Sequence, residues 1–307
     1  MAALNIIQQY LFQIACPLLL LIGIAGCILN LIAFSRKNMR KNPCSIYFIA
    51  FNLANFIYIN VALLNLILEV GYNISPSASN LIICRLRVYI STVFDCLSPF
   101  YLLLASIDRI FITSKNALTR RRSNLGLAYI CIVSGTLFWV LFSCHALIWS
   151  NILQIGPNLF LCYFQGVYLT FFSCFAIIKE MTTFLSLTIC GIWAIKNIRS
   201  IHRVRVAPSI PNGHDMQRTS AKDRQLIFML VIDVIMYALF SFTFASFLIY
   251  QEITQNDLKS TEQIQIESFI RNLSLFSIAI PFCVSFYANL IVSSVFRKEI
   301  KKILSRQ

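Results

Sequence analysis

Long apolar runs separated by short polar stretches dominate this chain. Seven of the runs reach the roughly 20 residues that a helix needs to cross the hydrocarbon core of a bilayer. They cover 10–34, 44–69, 82–112, 125–150, 167–195, 224–250 and 267–295. Backbone N–H and C=O groups find no water in lipid, so each run is expected to be one continuous helix. A membrane β-barrel would instead show segments of about ten residues alternating in polarity. The pattern therefore predicts an all-α, seven-transmembrane helix bundle in which residues 1–307 form a single domain.

A shorter pattern follows the last run. Phe296, Ile300, Ile303 and Leu304 fall on one face of a helix, and Lys and Arg fill the other. Such a segment beside a membrane is expected to lie in the interface, as a short amphipathic eighth helix over 295–305. A frayed charged tail is the alternative. Pro208, Pro211 and Asn212-Gly213 mark 200–222 as a connector. The first ten residues carry no Lys or Arg, so the first run lacks the charged start of a cleavable signal and reads as a transmembrane helix. No internal repeat is visible, which speaks against many transporter folds.

Composition agrees with a lipid solvent. Hydrophobic residues make up 58% and charged residues 12%, against about 25% charged in soluble chains, and the mean hydropathy is +0.74. The formal net charge of +14 fits either nucleic acid or a membrane face. Position decides for the membrane: 21 of the 26 Lys and Arg lie in 35–44, 108–124, 196–224 and the tail. The positive-inside rule then puts these segments and the C-terminus in the cytoplasm and the N-terminus outside, with the plasma membrane as the expected location. No nucleic-acid partner is expected.

Little points to catalysis. His145, His202 and His214 are scattered, and no nucleophile elbow, phosphate loop or zinc-protease motif occurs. None of the eleven cysteines has metal-ligand spacing. No enzyme activity, metal or cofactor is expected. Cys84 and Cys162 differ from the rest because both fall on the outer side, where an oxidising compartment allows a bridge; two free thiols are the alternative. Ionisable residues inside the runs are better pointers, since each costs roughly 2.5–3.5 kcal/mol at the bilayer centre. Asp95 lies 11 residues below Cys84, Lys179 and Glu180 lie in the middle of the fifth run, and Asp233 lies in the inner half of the sixth. Asp95, Lys179 and Glu180 read either as a polar ligand pocket or as a buried pair, Lys179 with Asp95 or with Glu180, that only fastens helices. Trp149, the aromatics of 160–172 and Tyr250 read as interface belts. Asn73-Ile74-Ser75 is a glycosylation sequon on the outer side, followed by Pro76.

Arg109 follows Cys84 by 25 residues, about 38 Å of helix, which places it at the cytoplasmic end of the third span. With this spacing the chain resembles the rhodopsin-class (family A) G-protein-coupled receptors. Gly26 and Asn30 are similar to that family's first-helix motif. Cys84, Asp108-Arg109-Ile110 and Trp139 are similar to its third-helix cysteine, its Asp-Arg-Tyr-type triplet and its fourth-helix tryptophan. Cys162 stands where the family has the second half of its disulfide, and Phe296-Arg297 resembles the start of its eighth helix. The match covers nearly the whole chain.

The departures are specific. Asn55 stands where the family has its sodium-binding aspartate, and Phe240-Ser241-Phe242-Thr243 where it has the sixth-helix Trp-Pro motif. The fifth-helix proline is absent. The seventh-helix Asn-Pro-x-x-Tyr motif is reduced to Ser285-Phe286-Tyr287-Ala288-Asn289, with Pro281 upstream. Phe286-Tyr287 ahead of a basic eighth helix, and Asp223-Arg224-Gln225-Leu226 at the start of the sixth, resemble a divergent invertebrate peptide-receptor-like branch.

What the resemblance implies is a receptor that couples an extracellular ligand, a peptide being favoured, to a heterotrimeric G protein. It also implies a Cys84–Cys162 bridge and an inner lock in which Arg109, beside Asp108, pairs with Asp223. A seven-span transporter or channel, or a degenerate receptor-like protein without signalling, are the rivals. A retinal photoreceptor of this fold needs a lysine in the seventh helix, and none lies between Lys259 and Arg297.

Overall fold

Polar side chains stand where the helices begin and take up N–H groups that have no partner inside the helix. In the computed structural model, Asn42, Asn80 and Asn124 each accept from the backbone N–H of the second or third residue of the following helix, those of Cys44, Ile82 and Leu127. Ser260 forms a reciprocal capping box with Gln263, and Ser293 accepts from the N–H of Phe296. The structure describes the backbone of residues 2–37, 39–114, 116–156, 159–204, 214–254, 257 and 259–305. Within these, the side chains at 2–5, 117, 155, 156, 159, 161, 195, 198–204, 214–224, 261, 295, 303 and 304 are not described.

Among the described residues, seven helices are long and apolar enough to cross a membrane. They are α1 (Ile6–Phe34), α2 (Pro43–Gly71), α3 (Leu81–Ile112), α4 (Leu125–Trp149), α5 (Val167–Val204), α6 (His214–Ile253) and α7 (Thr261–Val292), followed by α8 (Ser294–Leu304). The chain is a multi-pass membrane protein built as an all-α bundle. Its outside is apolar, as a lipid solvent requires: α4 alone presents Ile130, Val133, Leu137 and Leu141 outward.

Two predicted boundaries move. Helix α5 runs on to Val204 and α6 begins at His214, so the expected connector over 200–222 shrinks; residues 205–213 lie outside the described ones. Hydropathy registers only the apolar part of a helix, whereas Arg, Lys, Gln, Met and Ala continue it into water at little cost. The second difference is a hairpin between α4 and α5, which the sequence reading did not contain. Strands β1 (Asn151–Gly156) and β2 (Leu159–Tyr163) pair antiparallel, with Ile152 opposite Cys162.

That hairpin is fastened to α3. Cys162 is joined to Cys84 by a disulfide, with the Cα atoms 5.6 Å apart. Arg85 donates to the Ser150 carbonyl at 3.2 Å, and Arg87 to the Cys162 carbonyl at 3.4 Å. Arg87 also pairs with Glu69 of α2 at 3.2 Å, and Glu69 accepts from Ser77 at 2.7 Å.

Neither α1 nor α2 is regular throughout. Wider π-helical turns occupy Leu11–Ala15, Ile59–Leu63 and Ile67–Gly71. The first and last of these face each other: Gln13 donates its side-chain amide to the Gly71 carbonyl at 2.8 Å. A Cβ at position 71 would stand 2.9 Å from the Phe12 carbonyl oxygen, so the close approach requires glycine.

Candidate functional site

Three ionisable side chains from two helices meet inside the bundle. Lys179 Nζ of α5 lies 2.5 Å from Asp95 Oδ2 of α3 and 2.5 Å from Glu180 Oε1, its own neighbour in sequence. The sequence reading posed these two pairs as alternatives, and Lys179 makes both. Glu180 is held further by α6. Tyr237 donates to its Oε2 at 3.1 Å and Ser241 to the same oxygen at 2.7 Å. Tyr237 and Ser241 are four residues apart and so share one face of that helix. Phe282 of α7 packs against the rings of both Tyr237 and Tyr58 of α2, at 6.4 and 4.6 Å between centroids. Tyr58 lies within electrostatic reach of all three charges. Five helices thus surround one cluster.

The three members are not equally enclosed. Glu180 is 1% exposed and Lys179 6%, whereas the Asp95 side chain is 26% exposed. Fully ionised, the cluster carries two negative charges and one positive. Fastening two helices needs only a matched pair, and a surplus buried charge costs several kcal/mol. Asp95 is the most open of the three. Tyr237 and Tyr58 escaped the sequence reading, and Ser241 entered it only within Phe240-Ser241-Phe242-Thr243. Hydroxyls are ordinary in membrane helices, and only the face they share with a charge distinguishes them.

At the other end of α3, Arg109 is fully buried. Its Nη2 donates to Asp108 Oδ2 and to Asn42 Oδ1, both at 2.7 Å. Asp108 also accepts from Ser123 at 2.5 Å. One guanidinium therefore ties α3 to the start of α2, while its carboxylate partner reaches the turn before α4. The side chain of Asp223, expected to share this arginine, lies outside the described residues. Nearby Gln225 of α6 exchanges hydrogen bonds with Ser294 at 2.8 Å and Ser293 at 3.0 Å, at the junction of α7 and α8.

Between the two ends runs a layer of buried amides. Asn30 donates to Asn52 at 2.7 Å, and Ser98 of α3 donates to Asn55 of α2. Asn289 of α7 donates to Asp233 of α6 at 3.3 Å and to Ser285 at 3.3 Å. Asp233 is thus tied to the remnant of the seventh-helix motif. Trp139 of α4 packs edge-on against Phe100 of α3 at 6.5 Å. Pro281 lies within α7, and Tyr287 donates to the Ile22 carbonyl of α1 at 3.3 Å. Asn73 is exposed with a positive φ of 54°. Compared with known proteins, the chain matches no protein-family model and no curated protein.

Proposed function

We propose that this protein is a signalling receptor of the rhodopsin class, set in the plasma membrane with its N-terminus outside and its C-terminus in the cytoplasm. An extracellular ligand enters from the disulfide-bearing end and reaches the cluster of Asp95, Lys179 and Glu180. The opposite end, carrying Asp108 and Arg109, receives a heterotrimeric G protein. The observation that carries this reading is the arrangement along α3. One helix has a stapled end at Cys84, a partly open carboxylate at Asp95 and a buried arginine at Arg109.

Charge supports a class of ligand. Fully ionised, the cluster is one cation short, and Asp95 is its most open member. A ligand with an ammonium or guanidinium group neutralises it, and a basic peptide is favoured. Signalling follows if such a ligand binds the active arrangement of α3, α5 and α6 more tightly than the resting one. All three helices touch the cluster, so a ligand there acts on each. The test is a panel of ligands, cationic peptides first, read out as G-protein activation in transfected cells. The expected hits are cationic, and Asp95→Asn abolishes their response at unchanged surface expression. Activation only by anionic or neutral ligands, insensitive to Asp95→Asn, would contradict the reading.

A further inference from the structure

Arginines stand directly before a serine at the end of the bundle opposite the disulfide. Arg120, Arg121 and Arg122 precede Ser123, and no other Ser or Thr in the chain has arginine at both the second and third positions before it. These arginine side chains are exposed, and Ser123 is half-buried. The Ser123 hydroxyl donates to Asp108 Oδ1 at 2.5 Å, while the other oxygen of Asp108 holds the fully buried Arg109 at 2.7 Å. An exposed basic sequence is thus tied, through one hydroxyl and one carboxylate, to a buried cation.

A protein kinase that selects arginine lines its substrate groove with carboxylates, and each guanidinium pairs with one in a bidentate fork. Arginines two and three positions before a serine suit such a groove. No acid of this chain competes nearby in sequence, since none follows Asp108 until Glu180. The segment is also easily opened. Ala117–Arg121 is a helix of five residues, and the turn to Ser123 rests on the N–H of Arg122 donating to the Thr119 carbonyl and that of Ser123 to the Arg120 carbonyl, both at 3.2 Å. So short a helix is marginal on its own, and drawing it out into a kinase groove costs little.

We propose that Ser123 is a regulatory phosphorylation site, recognised through Arg120 and Arg121 by an arginine-directed protein kinase, and that its phosphate loosens the hold of Asp108 on Arg109. In the transfer, Ser123 Oγ attacks the γ-phosphorus of ATP. A new O–P bond forms as the bond to the β-phosphate oxygen breaks, ADP leaves, and the hydroxyl proton passes to the base of the kinase. The hydrogen that Asp108 received is then gone. In its place stands a group carrying about −1.5 to −2 charges at neutral pH. Phosphate and carboxylate repel, and both compete for Arg109. The phosphate has its own support, because Ser123 precedes Asn124, the cap of α4, and so lies by the positive end of that helix. The inference takes the cytoplasmic placement of 108–124 from the receptor reading and needs no G protein.

The whole protein in phosphate-free detergent, incubated with ATP and the catalytic subunit of cyclic-AMP-dependent protein kinase, tests it. Mass spectrometry of the intact chain and of its peptides is expected to find one phosphate, on Ser123. Ser123→Ala takes up none, and Arg120→Gln/Arg121→Gln slows uptake about tenfold or more through the loss of two charge-assisted pairs. Those arginines are exposed, and an unchanged unfolding temperature checks that the bundle survives. No uptake by the parent, or uptake at the parental rate by the arginine variant, overturns the site. Phosphorus-31 NMR reads the effect on Asp108. Repulsion from that carboxylate makes the phosphate lose its last proton at a higher pH in the parent than in Asp108→Asn. Equal midpoints place the phosphate away from Asp108 and overturn the loosening. The same phosphate is expected on the protein taken from cells with raised cyclic AMP, and its absence there overturns Ser123 as a site in the cell. G-protein exchange is read in none of these, so failure here leaves the receptor reading standing.

Discussion

Lys179 and Asp95, 84 positions apart in sequence, meet at 2.5 Å inside the bundle, and Lys179 also holds Glu180. One cation thus serves two carboxylates. Removing it leaves both uncompensated, while removing Asp95 leaves a matched pair. Lys179→Met is therefore expected to lower stability by about 3–5 kcal/mol, the usual result of breaking a buried ion pair. Asp95→Asn is expected to cost much less. Thermal unfolding in detergent, followed with a thiol-reactive dye against the buried Cys96, measures both. Equal losses would mean that Asp95 carries no surplus charge.

Glu180 takes its remaining stabilisation from α6. Ser241→Ala and Tyr237→Phe each remove a hydrogen bond to a charged oxygen, worth about 1.5–3 kcal/mol. Both bonds end on the same oxygen, so the two losses are not expected to add. A double-mutant cycle on unfolding free energy reads the coupling directly. Strict additivity would show that the two hydroxyls act independently of each other, contrary to their sharing one carboxylate oxygen.

Close packing gives a test that touches no charge. A Cβ at Gly135 would fall 2.1 Å from Cε1 of Phe100, whose ring is held against Trp139 and Tyr101. Gly135→Ala is expected to cost about 1–3 kcal/mol through overpacking. Adding Phe100→Leu should recover most of it. Failure of that second change to rescue would place the cost elsewhere, for example in the helix backbone.

The bundle was legible because its signal is long and repeated. The seven apolar runs read the same way in sequence and in structure, while the caps beside them, Asn42, Asn80 and Ser260, come from the structure. The short amphipathic helix from Ser294 was equally plain, since Phe296 and Ile300 are both buried. What was not legible depends on neighbours distant in sequence. Tyr237 and Ser241 matter because α6 turns them toward Glu180. The π-helical turns around Gln13 and Gly71 depend on α1 meeting α2. The hairpin over Asn151–Tyr163 lies between two strong helical runs, and its aromatic residues read as a membrane belt. Charge alone marked Asp95, Lys179 and Glu180. That Lys179 would join both acids at once needed the geometry of α3 against α5.

Nucleotide exchange on G proteins, measured on membranes from cells expressing this protein, tests the signalling role directly and needs no ligand. In the proposed lock Asp223 holds Arg109 in the resting form, and losing about 1 kcal/mol of that hold is about a fivefold shift between resting and active forms. Asp223→Asn is therefore expected to raise basal exchange several-fold over the parent. Arg109→Ala removes the residue that would meet the G protein, and its exchange should fall to that of mock-transfected membranes. Because Arg109 is buried and bonded to Asp108 and Asn42, surface expression must be matched between variants. If the parent and both variants, equally expressed, all exchange like mock membranes, the protein does not couple to these G proteins and the receptor reading is contradicted.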